Sequence, residues 1–177
     1  MKPPETIETQ RLLLRKPRMD DAPAVFAGWA QYPEVTRFLT WHPHENIGQT
    51  EALLKRSMDA WDGDKNFRYL LEIKESGALA GMIELRMEST KISFGYTGAI
   101  DQWGKGYMTE AVRASIEWAF QQPAIYRVYA TTDLENIPSR RVMEKAGMQC
   151  EGILRKECVH PNIDSEPRDC YIFAIVK

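Results

Sequence analysis

The sequence predicts an α/β chain, α+β in stricter usage, built on a mixed and mostly antiparallel sheet. Three observations carry that expectation. The runs FRYLLEIK, LAGMIELRM and KISFGYTGAI follow one another across short polar turns, the pattern of an antiparallel meander. A helical period then begins after Gln102 and stops at Pro123, and YRVYATTD follows as a strand, so the strand–helix–strand order implies one parallel crossover. Last, CEGILRKECVH and CYIFAIVK form a terminal pair of strands.

Taken in chain order, residues 11–17 (RLLLRKP) are Leu-rich enough for a first strand, and MDDAPAVFAGWAQ follows as a helix with Asp20 as its candidate cap. A second helix is expected between residues 48 and 61, where Leu53, Leu54, Met58 and Trp61 recur at three and four residues. The meander comes next. In the helix after Gln102, Met108, Val112 and Ile116 fall at i, i+4 and i+8 beside Ala111, Ser115 and Ala119, one small-to-medium apolar face. NIPSRRVMEKAG is a short helix, with Asn136 placed to cap it two residues before Pro138 and Gly147 placed for a left-handed C-cap. No internal repeat interrupts this order, and 177 residues correspond to one domain over residues 1–177.

Composition removes several function classes. Lys plus Arg number 23 against 25 for Asp plus Glu, and the net charge of −2 argues against a nucleic-acid surface. No apolar run approaches the roughly 18 residues of a membrane span, and MKPPETIETQ offers no secretory core, so no membrane partner and a cytoplasmic location are the expectations. Cys150, Cys158 and Cys170 are odd in number and form no CxxC pair, which fits reduced thiols. His160 lies near Cys158, and His42 and His44 form HPH, but no second cluster stands at ligand spacing, so no metal is expected.

The most informative stretch is QWGKGYMTEA. Gly104 and Gly106 lie after a strand and before a helix, where consecutive amide groups lack intrahelical partners and the helix dipole favours negative charge, so the loop suits a phosphate. Two phosphate-loop spellings fail. A dinucleotide fingerprint needs Gly or Ala three residues after Gly106, where Thr109 stands, and a P-loop needs Lys followed by Ser or Thr after its second glycine, whereas Lys105 lies between the two. A plain glycine turn entering a helix fits the same letters.

FGYTGAIDQWGKGYMTEAV followed by YRVYATTDLENIPSRRVMEKAGMQCEG resembles the GNAT superfamily of acyl-CoA-dependent N-acetyltransferases, most of all its Rim-type ribosomal-protein N-terminal acetyltransferase branch. The likeness spans nearly the whole chain, with ETQRLLLRKP at its start and RDCYIFAIV at its end. It implies the GNAT fold, in which the strand before the glycine loop carries a bulge and splays from its parallel neighbour to make a slot for acetyl-CoA, the cosubstrate. By that resemblance Gln102, Trp103, Gly104, Lys105, Gly106 and Tyr107 hold the pyrophosphate through backbone amides, and Gly98, Ala99 and Ile100 lie along the pantetheine arm. Asn136 and Ser139 match the family's NxxS, the Asn on the pantetheine and the Ser near the thiol sulfur.

The implied reaction is acetyl transfer to a primary amine by direct attack within a ternary complex. Ser139 is the expected general acid. The Rim-type branch places a base glutamate where this chain has Cys158, and Glu157 points to the opposite strand face, so Glu84 on the central strand is the second catalytic candidate. Trp29, Tyr32 and Trp41 in the N-terminal helical region are the expected acceptor-binding residues, and TWHPHEN is the expected specificity loop. The acceptor expectation is first a protein N-terminal α-amine and second a small amine, in a monomer or homodimer. A non-catalytic acyl-CoA sensor and an NAD- or ATP-binding protein stand as alternatives.

Overall fold

The computed structural model describes residues 2–177. One eight-stranded sheet organises them, in the order β1-β2-β3-β4-β5-β6-β8-β7. Its strands are β1 (Thr6–Glu8), β2 (Leu12–Arg15), β3 (Asn66–Ile73), β4 (Leu79–Met87), β5 (Lys91–Gly98), β6 (Arg127–Asp133), β7 (Gln149–Cys158) and β8 (Arg168–Val176). All neighbours pair antiparallel except β5 and β6, the strands joined by the crossover helix. The terminal hairpin closes on itself, but β8 rather than β7 lies against β6.

Strand alternation divides the core between the two faces of the sheet. On β3, Phe67, Tyr69, Leu71 and Ile73 bury into the larger apolar cluster, while Leu70 and, next to it on β4, Met82 bury into the smaller one on the other side. Helix α4 (Tyr107–Gln121) covers the larger cluster with Ala111, Val112, Ile116 and Ala119, the face its sequence period marks, and α5 (Ile137–Lys145) adds Met143. Each aliphatic side chain of that size buried here contributes about 1.5–3 kcal/mol. The smaller cluster is covered by α3 (Ile47–Asp59), through Leu53 and Leu54, and by the first helical segment.

That first segment departs from the expected single helix. It is a 3-10 turn at Met19–Asp21, a four-residue α1 (Ala22–Val25) and a π-helical turn at Phe26–Ala30. Asp20 does not cap it. The neighbouring Asp21 does, accepting the Arg18 amide at 2.7 Å while Arg15 donates two bonds to the same carboxylate at 2.6 and 2.9 Å. Burial tethers the start of the helix to β2 through this ion pair. A further turn, α2 (Pro33–Thr36), and the loop to α3 complete the region; Asn46 caps α3 by accepting the Gln49 amide.

Gly81 on β4 is required by its neighbours. Its φ is +151, and a Cβ there would stand 2.3 Å from the Thr97 carbonyl oxygen and 2.9 Å from the Gly98 Cα. Only glycine lets β4 run this close to the end of β5, where the chain leaves the sheet for the glycine loop. The β4–β5 register is continuous from Gly81↔Gly98 to Met87↔Ile92, so the expected bulge in β5 is not present on this side. The distortion lies on the other side, where parallel pairing with β6 stops after Ser93↔Tyr129. No helix among the described residues is long and apolar enough to cross a membrane.

Candidate active site

Where β5 and β6 part, Phe94 to Gly98 face Ala130 to Asp133 without pairing, and a cavity of about 300 Å³ opens between them. A gap between parallel strands leaves peptide N–H and C=O groups available to an extended ligand. The floor of the gap is set by α5, whose start carries the NxxS pair. Asn136 caps α5, accepting the Ser139 amide at 3.2 Å, so its side-chain oxygen is engaged in the helix itself. Ser139 Oγ lies 2.9 Å from the Tyr96 hydroxyl, which also donates to the Ser139 carbonyl at 3.0 Å. Burial pushes the Tyr96 phenol well up, so it stays a neutral donor, with the Ser139 bond opposing that rise. A serine and a tyrosine hydroxyl therefore meet inside the gap, with one proton free to point into it.

The glycine loop stands at the outer end of the same strand. Gly104 and Gly106 have φ of +76 and +81, and Gly106 is the left-handed residue from which α4 starts. Among the described residues no backbone acceptor meets the amides of residues 103–109, so a run of donors is aimed out of the helix N-terminus. Trp103 fixes the loop's entry: its indole donates to the Gly98 carbonyl at 3.0 Å and lies so close that a Cβ on Gly98 would stand 3.3 Å from it. Lys105 Nζ donates to Gln102 Oε1 at 3.0 Å, which holds its charge at the surface of the loop. Arg11 braces the far side, donating to the Lys105 carbonyl at 3.0 Å and to Glu110 at 2.7 Å while lying 4.6 Å from the Tyr107 ring. Burial alone would raise the Glu110 carboxyl, but bonds from Thr9, the Arg11 amide and the Arg11 guanidinium hold it below the ordinary value. A second cavity, about 540 Å³, opens beside Gly106, Arg11, Arg113 and Lys145.

On the opposite side of the gap, β3, β4, the loop after α2 and the loop after β7 form the remaining wall. Glu84 lines it, but not as a free base: Arg68 reaches one carboxylate oxygen at 2.9 Å and Arg86 the other at 2.8 Å. Proton uptake there would break an ion pair on either oxygen. Cys158, at the position where the resemblance expects a glutamate, also lines the cavity, and burial followed by the nearby Glu157 charge pushes its thiol up. Burial likewise raises the Cys170 thiol to about 12. Both stay protonated near neutral pH and neither can take a proton from an amine. All three cysteines are free, and among the described residues no group of three or more His, Cys, Asp or Glu is arranged to hold a metal ion.

The expected acceptor residues separate. Trp41 lines the cavity, joined by Phe38 and Leu39. Trp29 does not: it is wholly buried in the smaller core cluster, as a large aromatic on the inner face of a helical turn tends to be. Tyr32 is half-buried at the start of α2 and also lies outside the cavity lining. Ala99 differs from its expected role as well, because its side chain packs in that core and its amide is already given to the Ala80 carbonyl at 2.9 Å. Tyr96, Arg68, Arg86, Asp133 and His160 were not legible as site residues. Only the strand period of FGYTG hinted that Tyr96 shares a face with Phe94.

Comparison with known proteins gives one family. Residues 11–149 match the model of the acetyltransferase (GNAT) domain. A Bacillus licheniformis protein named uncharacterized N-acetyltransferase p20 is 29% identical over 177 residues, 98% of this chain and 97% of that protein. The crystal structure of a GNAT-family acetyltransferase from Bacillus anthracis, 29% identical, superposes with a TM-score of 0.82 over 97% of this chain and 98% of that one. RimL, described as a ribosomal L7/L12 alpha-N-protein acetyltransferase and solved with coenzyme A, superposes with a TM-score of 0.84 over 97% of this chain and 98% of its own, at 17% identity. At that identity RimL speaks to the fold alone.

Proposed function

The chain belongs to the GNAT acetyltransferase family, as an acyl-CoA-dependent N-acetyltransferase, and we propose that its acceptor is the N-terminal α-amine of a protein or peptide. The observation that carries the acceptor class is the state of the carboxylates around the gap. Glu84 is committed to two arginines, and Cys158 stands in place of an acid. A site without a free carboxylate suits an amine that needs little help to lose its proton. With ordinary pKa values of roughly 7.7 for an α-amine and 10.4 for lysine, about one α-amine in six is neutral at pH 7 but only about one lysine in a few thousand. RimL, whose fold this chain shares, is described as acting on such an amine.

In this reading acetyl-CoA enters the β5–β6 gap from the glycine-loop end. The amides of residues 103–109 hold its pyrophosphate, and Arg11 keeps the loop in shape. The unpaired edge of β5 receives the pantetheine and faces an amide toward the thioester carbonyl, where negative charge develops during attack. Ser139 donates its proton toward the departing sulfur, with Tyr96 holding the hydroxyl in line. The acceptor comes from the Phe38–Trp41 side. Release of CoA, read with a thiol reagent, is measured for peptides with free N-termini, the same peptides acetylated at the N-terminus but bearing lysine, and small amines. Turnover confined to free N-termini is expected; turnover confined to lysine or to small amines would overturn the acceptor, and acetyl-CoA binding with no release for any amine would make the chain a sensor.

A further inference from the structure

His160 sits just beyond β7 with 5% of its surface exposed, yet neither ring nitrogen has a hydrogen-bond partner among the described residues. Buried polar groups are nearly always paired, so two orphaned nitrogens on one ring need a reason. The ring lines the same cavity as Ser139 and Tyr96. Building on the acetyltransferase reading above, we propose that His160 is the general base that takes the proton from the incoming ammonium, with Asp133 as its positioning residue.

The surroundings fit that assignment. Nε2 lies 3.7 Å from Asp133 Oδ2, too far for a hydrogen bond but within charge-pairing distance. Asp133 is itself fixed, with a fully buried carboxylate held by Arg168 at 2.6 and 3.2 Å and by the Glu135 amide at 2.9 Å. Phe38 meets the ring edge-on, with centroids 6.3 Å apart and planes at 86°, which sets its tilt. The backbone is fixed too: the His160 carbonyl accepts amides from Ile163 and Asp164, and Asn162 of the same loop donates to the Thr36 and Trp41 carbonyls across the cavity mouth. The remaining titratable or charged groups of the cavity are the Cys158 and Cys170 thiols, the Glu84 carboxylate between Arg68 and Arg86, and, behind Asp133, Arg168 with Glu135. None of these offers a free lone pair to an ammonium, whereas a neutral imidazole carries one.

The protons balance. The ammonium gives one proton to the His160 imidazole, and the freed lone pair forms the C–N bond at the thioester carbonyl carbon. The C–S bond then breaks, and the second proton of the former ammonium ends on the thiolate by way of the Ser139 hydroxyl. His160 returns its proton to solvent, so each turnover releases one proton, one amide and one free thiol.

The test compares wild type, H160Q and H160N by kcat from pH 6 to 9 on an N-terminal peptide, with acetyl-CoA affinity measured by calorimetry. A second acceptor, a fluorinated primary amine already neutral at pH 7, needs no base. On the peptide at pH 7 both variants should lose about sixfold in kcat, the factor by which the neutral fraction of an α-amine falls short of one, with unchanged acetyl-CoA affinity, and the loss should shrink as pH rises and nearly vanish on the neutral amine. A deficit equal at every pH and on both acceptors would mark a merely structural histidine and overturn the proposal, as would variants that match wild type. A wild type that binds acetyl-CoA but releases no CoA with any amine overturns the acetyltransferase reading beneath it instead.

Discussion

Replacing Ser139 with alanine removes one hydroxyl from the gap and leaves nearly everything else in place. The α5 cap survives, because Asn136 accepts the Ser139 amide and not its side chain. Tyr96 also keeps a partner, since its hydroxyl still reaches the residue 139 carbonyl at 3.0 Å. The folded state therefore loses about one net hydrogen bond, about 1 kcal/mol, which lowers the melting temperature of a domain this size by roughly 2–4 °C. Turnover loses more. A hydrogen bond to a group that becomes charged is worth about 1.5–3 kcal/mol, and at about 1.4 kcal/mol per factor of ten that converts to roughly a 10- to 150-fold fall in kcat. Acetyl-CoA affinity should stay within a few-fold, because the hydroxyl matters only as the sulfur takes up charge. Steady-state thiol release gives kcat and calorimetry gives Kd. Tyr96→Phe and the double variant complete a cycle: if Tyr96 acts through Ser139, the two losses do not add. An unchanged kcat in S139A, or a fall in affinity equal to the fall in kcat, would refute the assignment of Ser139 to the leaving thiol.

Three further predictions test other parts of the structure. Gly106→Pro cannot adopt φ +81 and deletes an amide from the donor run, so it should weaken acetyl-CoA binding at least tenfold, whereas Lys105→Ala, whose charge is exposed and tied to Gln102, should change it by no more than a few-fold; calorimetry showing the opposite order would shift the phosphate contact to the lysine. Gly81→Ala places a Cβ 2.3 Å from the Thr97 carbonyl, and overpacking of about 1–3 kcal/mol or more should lower the melting temperature by at least roughly 2 °C, a fall that thermal unfolding followed by circular dichroism would detect or rule out. Asp133 and Glu110 are both held below their ordinary values of 3.8 and 4.5 in the folded chain, so their contribution to stability is complete above about pH 5 and is lost as pH falls through the folded values. Urea midpoints should drop further below pH 4, less steeply in Arg168→Gln; midpoints that hold steady from pH 5 to pH 3 would contradict the geometry of both carboxylates.

Much of the fold was legible because strand and helix periods are local properties. The three meander strands, the crossover helix and the terminal hairpin lie where FRYLLEIK, LAGMIELRM, KISFGYTGAI and the Met108–Val112–Ile116 period put them. The first helix was less legible. Its apolar residues suit a helix, but the anchoring of Asp21 by Arg15, six residues earlier, and the packing of Trp29 beside Leu54 and Met82 break it into 3-10, α and π turns. Nothing in a local window shows that a tryptophan belongs to a core contributed by distant strands.

The site divides along the same line. The spelling of QWGKGY with NIPS determined the family and a run of backbone donors, because glycines before a helix N-terminus fix amide geometry without help from elsewhere. Only the tertiary structure decided which side chains meet in the gap. Tyr96 and Ser139 come from a strand and a helix 43 positions apart, and Glu84 becomes an ion-pair anchor because β3 brings Arg68 alongside it. His160 and Asp133 stand 27 positions apart in sequence, and an ordinary histidine in a loop becomes a buried, unpaired base candidate only because β8 inserts between β6 and β7 and folds that loop back over the gap. Reactivity of this kind depends on burial and on charges several ångströms away, which a one-dimensional pattern does not encode.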